Sequence, residues 1–83
     1  ELVELTPALG AYFGTEQGIL VVRAPRNDTL ELIDGDVILE INRNPIQGMR
    51  DYRRLLRQAV ELDSVLLLVR RNRNSIFVAL KRS

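Results

Sequence analysis

The sequence predicts a small α+β domain that combines five or six short β-strands with one short and one long helix. The first observation is an amphipathic helical stretch from Met49 to Val60, the clearest in the chain. The second is a series of short apolar runs bounded by Gly, Pro and Asn, which is typical of strands. The third is size, because 83 residues give room for one hydrophobic core. We expect residues 1–83 to form a single domain with a partly open β-barrel or sandwich.

The composition excludes several classes of function. The net charge is +1, so the chain has no bulk attraction to nucleic acid or to an anionic membrane. It contains no cysteine and no histidine. Disulfides, thiolate metal sites, Ser-His-Asp triads and nearly every catalytic zinc site are therefore excluded. We expect a non-catalytic domain with no metal site and no cofactor.

The first half of the chain reads as strand, helix, strand. Glu1 to Leu5 is strand-like, and Thr6-Pro7 is a helix start with Thr as the N-cap. Gly14 closes this short helix. Gly18 to Ala24 is a continuous apolar strand. A polar loop follows from Pro25 to Asp28. Leu30, Leu32 and Ile33 then form an apolar patch.

In the second half of the chain, the residue pattern predicts strands and tight turns before and after the long helix. Val37 to Ile41 is a strand, followed by a turn at Asn42-Arg43-Asn44-Pro45. Ser64 to Arg71 and Ser75 to Lys81 are strands joined by a turn at Asn72-Arg73-Asn74. Strand alternation predicts that the core contains Val37, Leu39, Ile41, Leu66 or Leu67, Val78 and Leu80.

The stretch from Leu32 to Asn42 resembles the most recognisable motif of PDZ domains. That motif has an apolar residue, two spacers, Gly35-Asp36, an apolar strand and then Asn42. Gly35 permits a tight turn where a Cβ would clash, and Asp36 accepts hydrogen bonds from nearby backbone N–H groups. We therefore assign Gly35, Asp36 and Asn42 a structural role.

The short helix placed before Gly18 resembles the bacterial, circularly permuted type of PDZ domain. This type occurs in trypsin-like envelope quality-control proteases, site-2 metalloproteases and type II secretion components. The resemblance implies a location in the periplasm or cell envelope. We expect a fragment of a longer protein, because the chain opens directly with the strand-like Glu1 to Leu5. We expect no membrane span in this fragment, because its longest apolar runs are far shorter than the roughly 20 residues that a span needs. The family's carboxylate-binding loop has no match at Glu1, so it either precedes this chain or is lacking.

The resemblance implies binding of an extended or C-terminal peptide of another protein by β-augmentation. The ligand would lie in a groove between the first strand and the long helix, whose residues would be Leu2, Val3, Glu4, Leu5, Met49, Arg53 and Leu56. In the alternative interpretation, Met49 and Leu56 belong to the core and Arg53 is a solvated charge.

Other candidates each have a simpler explanation. The helix arginines would suit nucleic acid or an acidic partner, but they also fit the wet face of an amphipathic helix: Arg50, Arg53, Arg54 and Arg57. Arg70, Arg71 and Arg73 add basic charge near the last hairpin, but they also fit a solvated turn. Tyr12 and Phe13 could form a binding platform, but residues of this kind in a short helix more often cap the core. Asp34 and Asp36 could suggest acid–base chemistry or a metal site, but local backbone hydrogen bonds explain their spacing better. The alternative function is a scaffold or dimerisation domain, as in a secretion complex, that makes no use of the groove. The sequence does not specify an oligomeric state.

Overall fold

The computed structural model describes residues 1–23, 32–63 and 65–80, and it describes residue 80 without its side chain. The elements of the first half are β1 (Leu2–Glu4), α1 (Pro7–Phe13), β2 (Ile19–Val21) and β3 (Val37–Ile41). Those of the second half are β4 (Asn44–Pro45), α2 (Met49–Glu61), β5 (Val65–Arg71) and β6 (Asn74–Leu80). The predicted loop from Pro25 to Asp28, the apolar Leu30, and residues 64 and 81 lie outside the described residues.

One antiparallel sheet of six strands organises the chain, in the order β1-β2-β3-β5-β6, with β4 paired to β3. Strands β1 and β6 are therefore the two edges of this order. Helix α2 packs against β3 and β5. The predicted α+β class, with one short and one long helix on a partly open sheet, is confirmed.

Helix α1 begins and ends where its capping residues predict. The hydroxyl oxygen of Thr6 accepts a hydrogen bond of 3.2 Å from the N–H of Leu9, and Pro7 occupies the first helical position. Gly14 takes the left-handed conformation with φ of 74°, and its N–H donates to the carbonyl of Gly10.

The hydrophobic core lies between the sheet and α2. The helix contributes Leu55 and Ala59, whose spacing places them on one face. The strands and the segment before α2 contribute the other buried members: Ile19, Val21, Ile38, Ile41, Ile46, Leu67, Val69 and Val78. Of the predicted core residues, Ile41, Leu67 and Val78 belong to this cluster, and Val37 is buried outside it. The side chain of Leu80 is not described.

The prediction that Leu39 belongs to the core is wrong, because β3 contains a β-bulge. Ile38 pairs with Val69 and Glu40 pairs with Leu68, so Leu39 is an extra residue opposite β5. The extra residue shifts the alternation, which places Ile38 and Ile41 in the core. Leu39 is half-buried and lies against Gly18.

Both predicted hairpin turns contain an Asn-Arg pair in the left-handed conformation. Asn42 and Arg43 have φ of 49° and 68°, and Asn72 and Arg73 have φ of 50° and 70°. Two left-handed central residues define the turn whose twist matches that of the flanking strands. Each turn therefore closes a tight two-residue hairpin, β3 to β4 and β5 to β6.

Candidate functional site

The outer edge of β1 carries backbone groups that β2 does not use. Leu5 N donates to Gly18 O at 3.2 Å, and Val22 N donates to Glu1 O at 2.8 Å. Hydrogen-bonded pairs alternate along an antiparallel ladder, so Val3 directs its backbone groups at β2. The N–H and C=O groups of Leu2 and Glu4 consequently point away from β2, on the side where no described strand lies.

The start of helix α2 is in contact with the side chain of Glu4 in β1. Gly48 is the N-cap residue of α2, and the helix has no side-chain cap of its own. The Glu4 Oε1 oxygen accepts a hydrogen bond from the N–H of Met49, the first residue of the helix. A Cβ on residue 48 would lie 2.8 Å from Glu4 Oε1, and a small shift of this flexible carboxylate would accommodate it.

The other predicted groove residues divide by burial. Leu2, Met49 and Leu56 are half-buried and pack against the core cluster. Leu5 is also half-buried, whereas Val3 and Arg53 are exposed. Arg53 lies one helical turn beyond Met49, on the same face. Glu4 and Met49 are in direct contact through the Glu4 carboxylate.

The exposed face of α2 is charged. Arg50, Arg53, Arg54 and Arg57 are all exposed. The carboxylate of Asp51 contacts the Arg54 guanidinium at 2.5 Å and accepts from Gln47 N at 3.1 Å. The Arg54 hydrogen bond first, and the Gln47 N–H second, hold the pKa of Asp51 below its ordinary value. On the side of the helix that faces the protein, burial raises the pKa of Tyr52.

The Gly35-Asp36 turn directly precedes β3 and is tied to β5. Gly35 has φ of 92°, and the expectation that a Cβ would clash there is wrong, because the space around its Cα is open. Asp36 is 1% exposed. One of its oxygens accepts from Ile33 N at 2.9 Å, and the Arg71 guanidinium donates to both oxygens at 2.9 and 2.8 Å. This bidentate pair holds the turn against the end of β5.

Asn42 joins the other end of β3 to β5. Its N–H donates to Leu66 O at 2.7 Å, and its side-chain oxygen accepts from Leu66 N at 2.8 Å. Asn42 therefore has two roles, as a left-handed turn residue and as a clamp on the neighbouring strand.

Sequence reasoning missed two contacts, those made by Arg71 and by the Glu4 side chain. Arg71 was assigned to a solvated turn, yet its partner Asp36 is buried. Glu4 was selected only as part of a pairing strand, and its carboxylate reaches α2. Each pair joins residues far apart in the chain, so no local spacing gives a signal.

A second depression lies away from the predicted groove. It has a volume of about 690 Å³ and is bordered by the end of α1, the Gly35 turn and the β5–β6 turn. Tyr12 and Phe13 line it in an edge-to-face arrangement with ring centroids 5.0 Å apart. Tyr12 is exposed and Phe13 is half-buried, so only Phe13 has the burial expected of a residue that caps the core.

Among the described residues, no three acidic, His or Cys side chains are grouped so that they could hold a metal ion. No helix in the same part of the chain combines the length and apolar character needed to cross a membrane.

Comparison with known proteins identifies the family. The family model described as "PDZ domain" matches residues 28–71, more than half of the chain. The match includes the Gly35-Asp36 turn, all of β3 and α2, and β5. No curated protein matches the chain. The chain belongs to the PDZ domain family, whose members are generally non-catalytic modules that bind peptides and mediate protein–protein interactions.

Proposed function

We propose that this domain binds an extended or C-terminal segment of another protein by adding it as a strand to β1. The observation that carries the proposal is the outer edge of β1, where the backbone groups of Leu2 and Glu4 point away from β2. An added strand would pair with these groups, and α2 would form the wall beside it. No described strand of this chain pairs with the outer edge of β1, so this edge is available for strand addition.

The side chains around this edge favour a ligand with one apolar anchor residue. Leu2, Met49 and Leu56 supply half-buried apolar surface, and the flexible Met side chain adapts to varied shapes. Arg53 is exposed one turn along from Met49, so an acidic side chain or a free carboxylate would suit the neighbouring ligand position. An exposed ion pair contributes only about 0–1 kcal/mol, so we expect micromolar or weaker affinity.

The test is a selection of random peptides against the chain, followed by NMR titration of the selected peptides. We expect amide shifts on β1 and on residues 49–56 of α2. Shifts confined to the turn at Asn72-Arg73 would contradict the site, and no binding at millimolar peptide would contradict the function.

We also propose that the domain is of the bacterial, circularly permuted type and serves a protease or another envelope protein. The position of β1 and α1 before β2 supports this subtype. A periplasmic or envelope location follows from the same resemblance. The test is the complete protein: a preceding domain with His, Asp and Ser in a triad would support a protease host, and a lone cytosolic PDZ domain would contradict it.

A second candidate function is assembly through the opposite edge of the sheet. Strand β6 is an edge strand, and its Phe77 is 63% exposed. Exposed apolar edge strands pair readily with other chains. Light scattering of the wild-type chain and of Phe77→Lys tests this: a wild-type oligomer that the substitution dissociates would favour assembly, and a wild-type monomer at high concentration would exclude it.

A further inference from the structure

Glu4 has two roles at the groove that conflict. Its backbone groups belong to the edge that an added strand would pair with, as the hydrogen-bond alternation along β1 indicates. Its side chain, however, extends from β1 to α2 and accepts the hydrogen bond of Met49 N. These two elements are the walls of the groove, so the Glu4 side chain spans the space between them.

The start of α2 is arranged for this contact. A helix needs acceptors for its first N–H groups, and a side chain at the N-cap usually supplies one. Here Gly48 supplies none, and Glu4 Oε1 accepts the hydrogen bond of Met49 N instead. The carboxylate charge also suits the positive end of the helix dipole. The cap of α2 thus comes from the opposite wall of the groove, although a serine or aspartate at position 48 would be the simpler solution.

We propose that Glu4 is an autoinhibitory latch, which closes the groove at the start of α2 and must release Met49 before a strand can add to β1. This inference rests on the proposed peptide-binding function. The latched and open forms are in equilibrium, and only the open form binds. The apparent affinity is therefore the intrinsic affinity multiplied by the open fraction.

The latch affects the rate at which a ligand associates and the kind of ligand that fits. Opening precedes binding, so the latch lowers the apparent association rate and leaves the dissociation rate unchanged. The residue directly opposite Glu4 on an added strand has its side chain on the same face, where like charges repel. A ligand carboxylate is consequently disfavoured beside Glu4 and is left to the Arg53 region of the groove.

The latch itself is tested without ligand, by NMR of the Met49 amide. Glu4→Ala removes the acceptor, and Gly48→Ala keeps the carboxylate but adds a Cβ 2.8 Å from its oxygen position. We expect Glu4→Ala to move the Met49 amide proton upfield and to accelerate its hydrogen exchange, and Gly48→Ala, which the flexible carboxylate can accommodate, to have a smaller effect. Glu16→Ala is the matched control, because Glu16 is an exposed carboxylate outside the groove, and it should leave Met49 unchanged. An unchanged Met49 amide in Glu4→Ala would overturn the proposal.

The autoinhibition is tested by binding kinetics of a fluorescent peptide, selected from the random library against the wild-type chain and against Glu4→Ala in parallel. A cap of ordinary strength predicts association about threefold to tenfold faster in Glu4→Ala and a smaller gain in Gly48→Ala, with unchanged dissociation in both. Glu4→Gln retains an acceptor oxygen and should give a smaller gain. Glu16→Ala should match the wild type.

The outcomes separate this proposal from the proposed function. If wild type binds peptide in the groove and Glu4→Ala binds with an equal or lower association rate, Glu4 is only a structural cap and the latch is refuted. If neither chain binds any peptide, both proposals fail. A gain in Glu4→Ala that comes entirely from slower dissociation would also refute the latch, since it would reflect a direct contact with the ligand.

Discussion

Gly35 has a backbone conformation that favours glycine. Its φ of 92° lies in a region that side chains with a Cβ rarely adopt. The space around its Cα is open, so crowding does not require glycine there. Of the two reasons that the sequence suggested, backbone conformation and close approach, only the conformation applies.

This distinction gives a prediction at position 35. Gly35→Val should lower the free energy of unfolding by about 2–3 kcal/mol, because a β-branched residue resists positive φ. Gly35→Asn should cost only about 1 kcal/mol, because Asn tolerates this region. Urea unfolding of the two variants and the wild type measures both. Equal losses for Val and Asn would show that strain at positive φ is not the reason for glycine.

Asp36 shows how far a motif can be interpreted from sequence. The motif predicts a carboxylate that accepts from a nearby backbone N–H, and Ile33 N donates to it at 2.9 Å. The stronger partner is Arg71, which binds both oxygens from the far end of β5. The sequence holds several arginines near that position, and only the register of β3 against β5 selects one of them.

At the scale of elements, both tight hairpins use arginine where glycine is the usual residue. Arg43 and Arg73 have φ of 68° and 70°, a conformation that costs a non-glycine residue free energy. Asn precedes each of them and tolerates the same region. The sequence predicts these turns well because the Asn-containing segments stand between apolar strands.

We expect Arg43→Gly and Arg73→Gly each to raise the free energy of unfolding by about 0.5–1 kcal/mol, since relief of strain exceeds the entropy that glycine loses. Asn74→Gly is the matched control: residue 74 belongs to β6, where glycine should destabilise. Thermal unfolding of the three variants measures the differences. A loss of stability in both arginine variants would contradict the strain account.

The β-bulge in β3 is the element that the sequence does not reveal. Alternation along Val37 to Ile41 places Leu39 in the core, yet the extra residue opposite β5 replaces it with Ile38. A bulge depends on how two strands pair over their length, and the apolar run contains hydrophobic residues for either register. The helices are easier to predict, because capping residues and apolar periodicity are local features of the sequence.

The bulge makes a quantitative prediction. Ile38→Ala should cost about 2–5 kcal/mol, because Ile38 is fully buried in the core cluster. Leu39→Ala should cost about 1–2 kcal/mol, because that side chain is half-buried. Denaturant unfolding of both variants tests this order. A larger loss for Leu39→Ala would contradict the bulge and restore simple alternation.

At the scale of the whole molecule, the described contact between the first strand and the long helix is the one from the Glu4 side chain to Met49, and the groove between these elements is part of the proposed function. The sequence predicts which two elements meet, through the family resemblance, and the apolar residues that pack on the core. The sequence does not predict that the Glu4 side chain contacts the start of α2, because Glu4 and Met49 are far apart in the chain. Arg53 is exposed on α2, one helical turn beyond Met49.

The charge of Arg53 gives the last prediction. Arg53→Glu should weaken binding of an acidic selected peptide about fivefold to twentyfold, because it removes one attraction and adds a repulsion of similar size. The free energy of unfolding should stay within about 0.5 kcal/mol of wild type, since the side chain is exposed. Arg43→Glu makes the same change of net charge in the β3–β4 turn and serves as the control. The Arg53 effect should shrink as salt rises, because charges are screened over about 8 Å at physiological ionic strength. Equal weakening by both substitutions would indicate a general effect of net charge, and Arg53 would then be only a solvated residue of the helix.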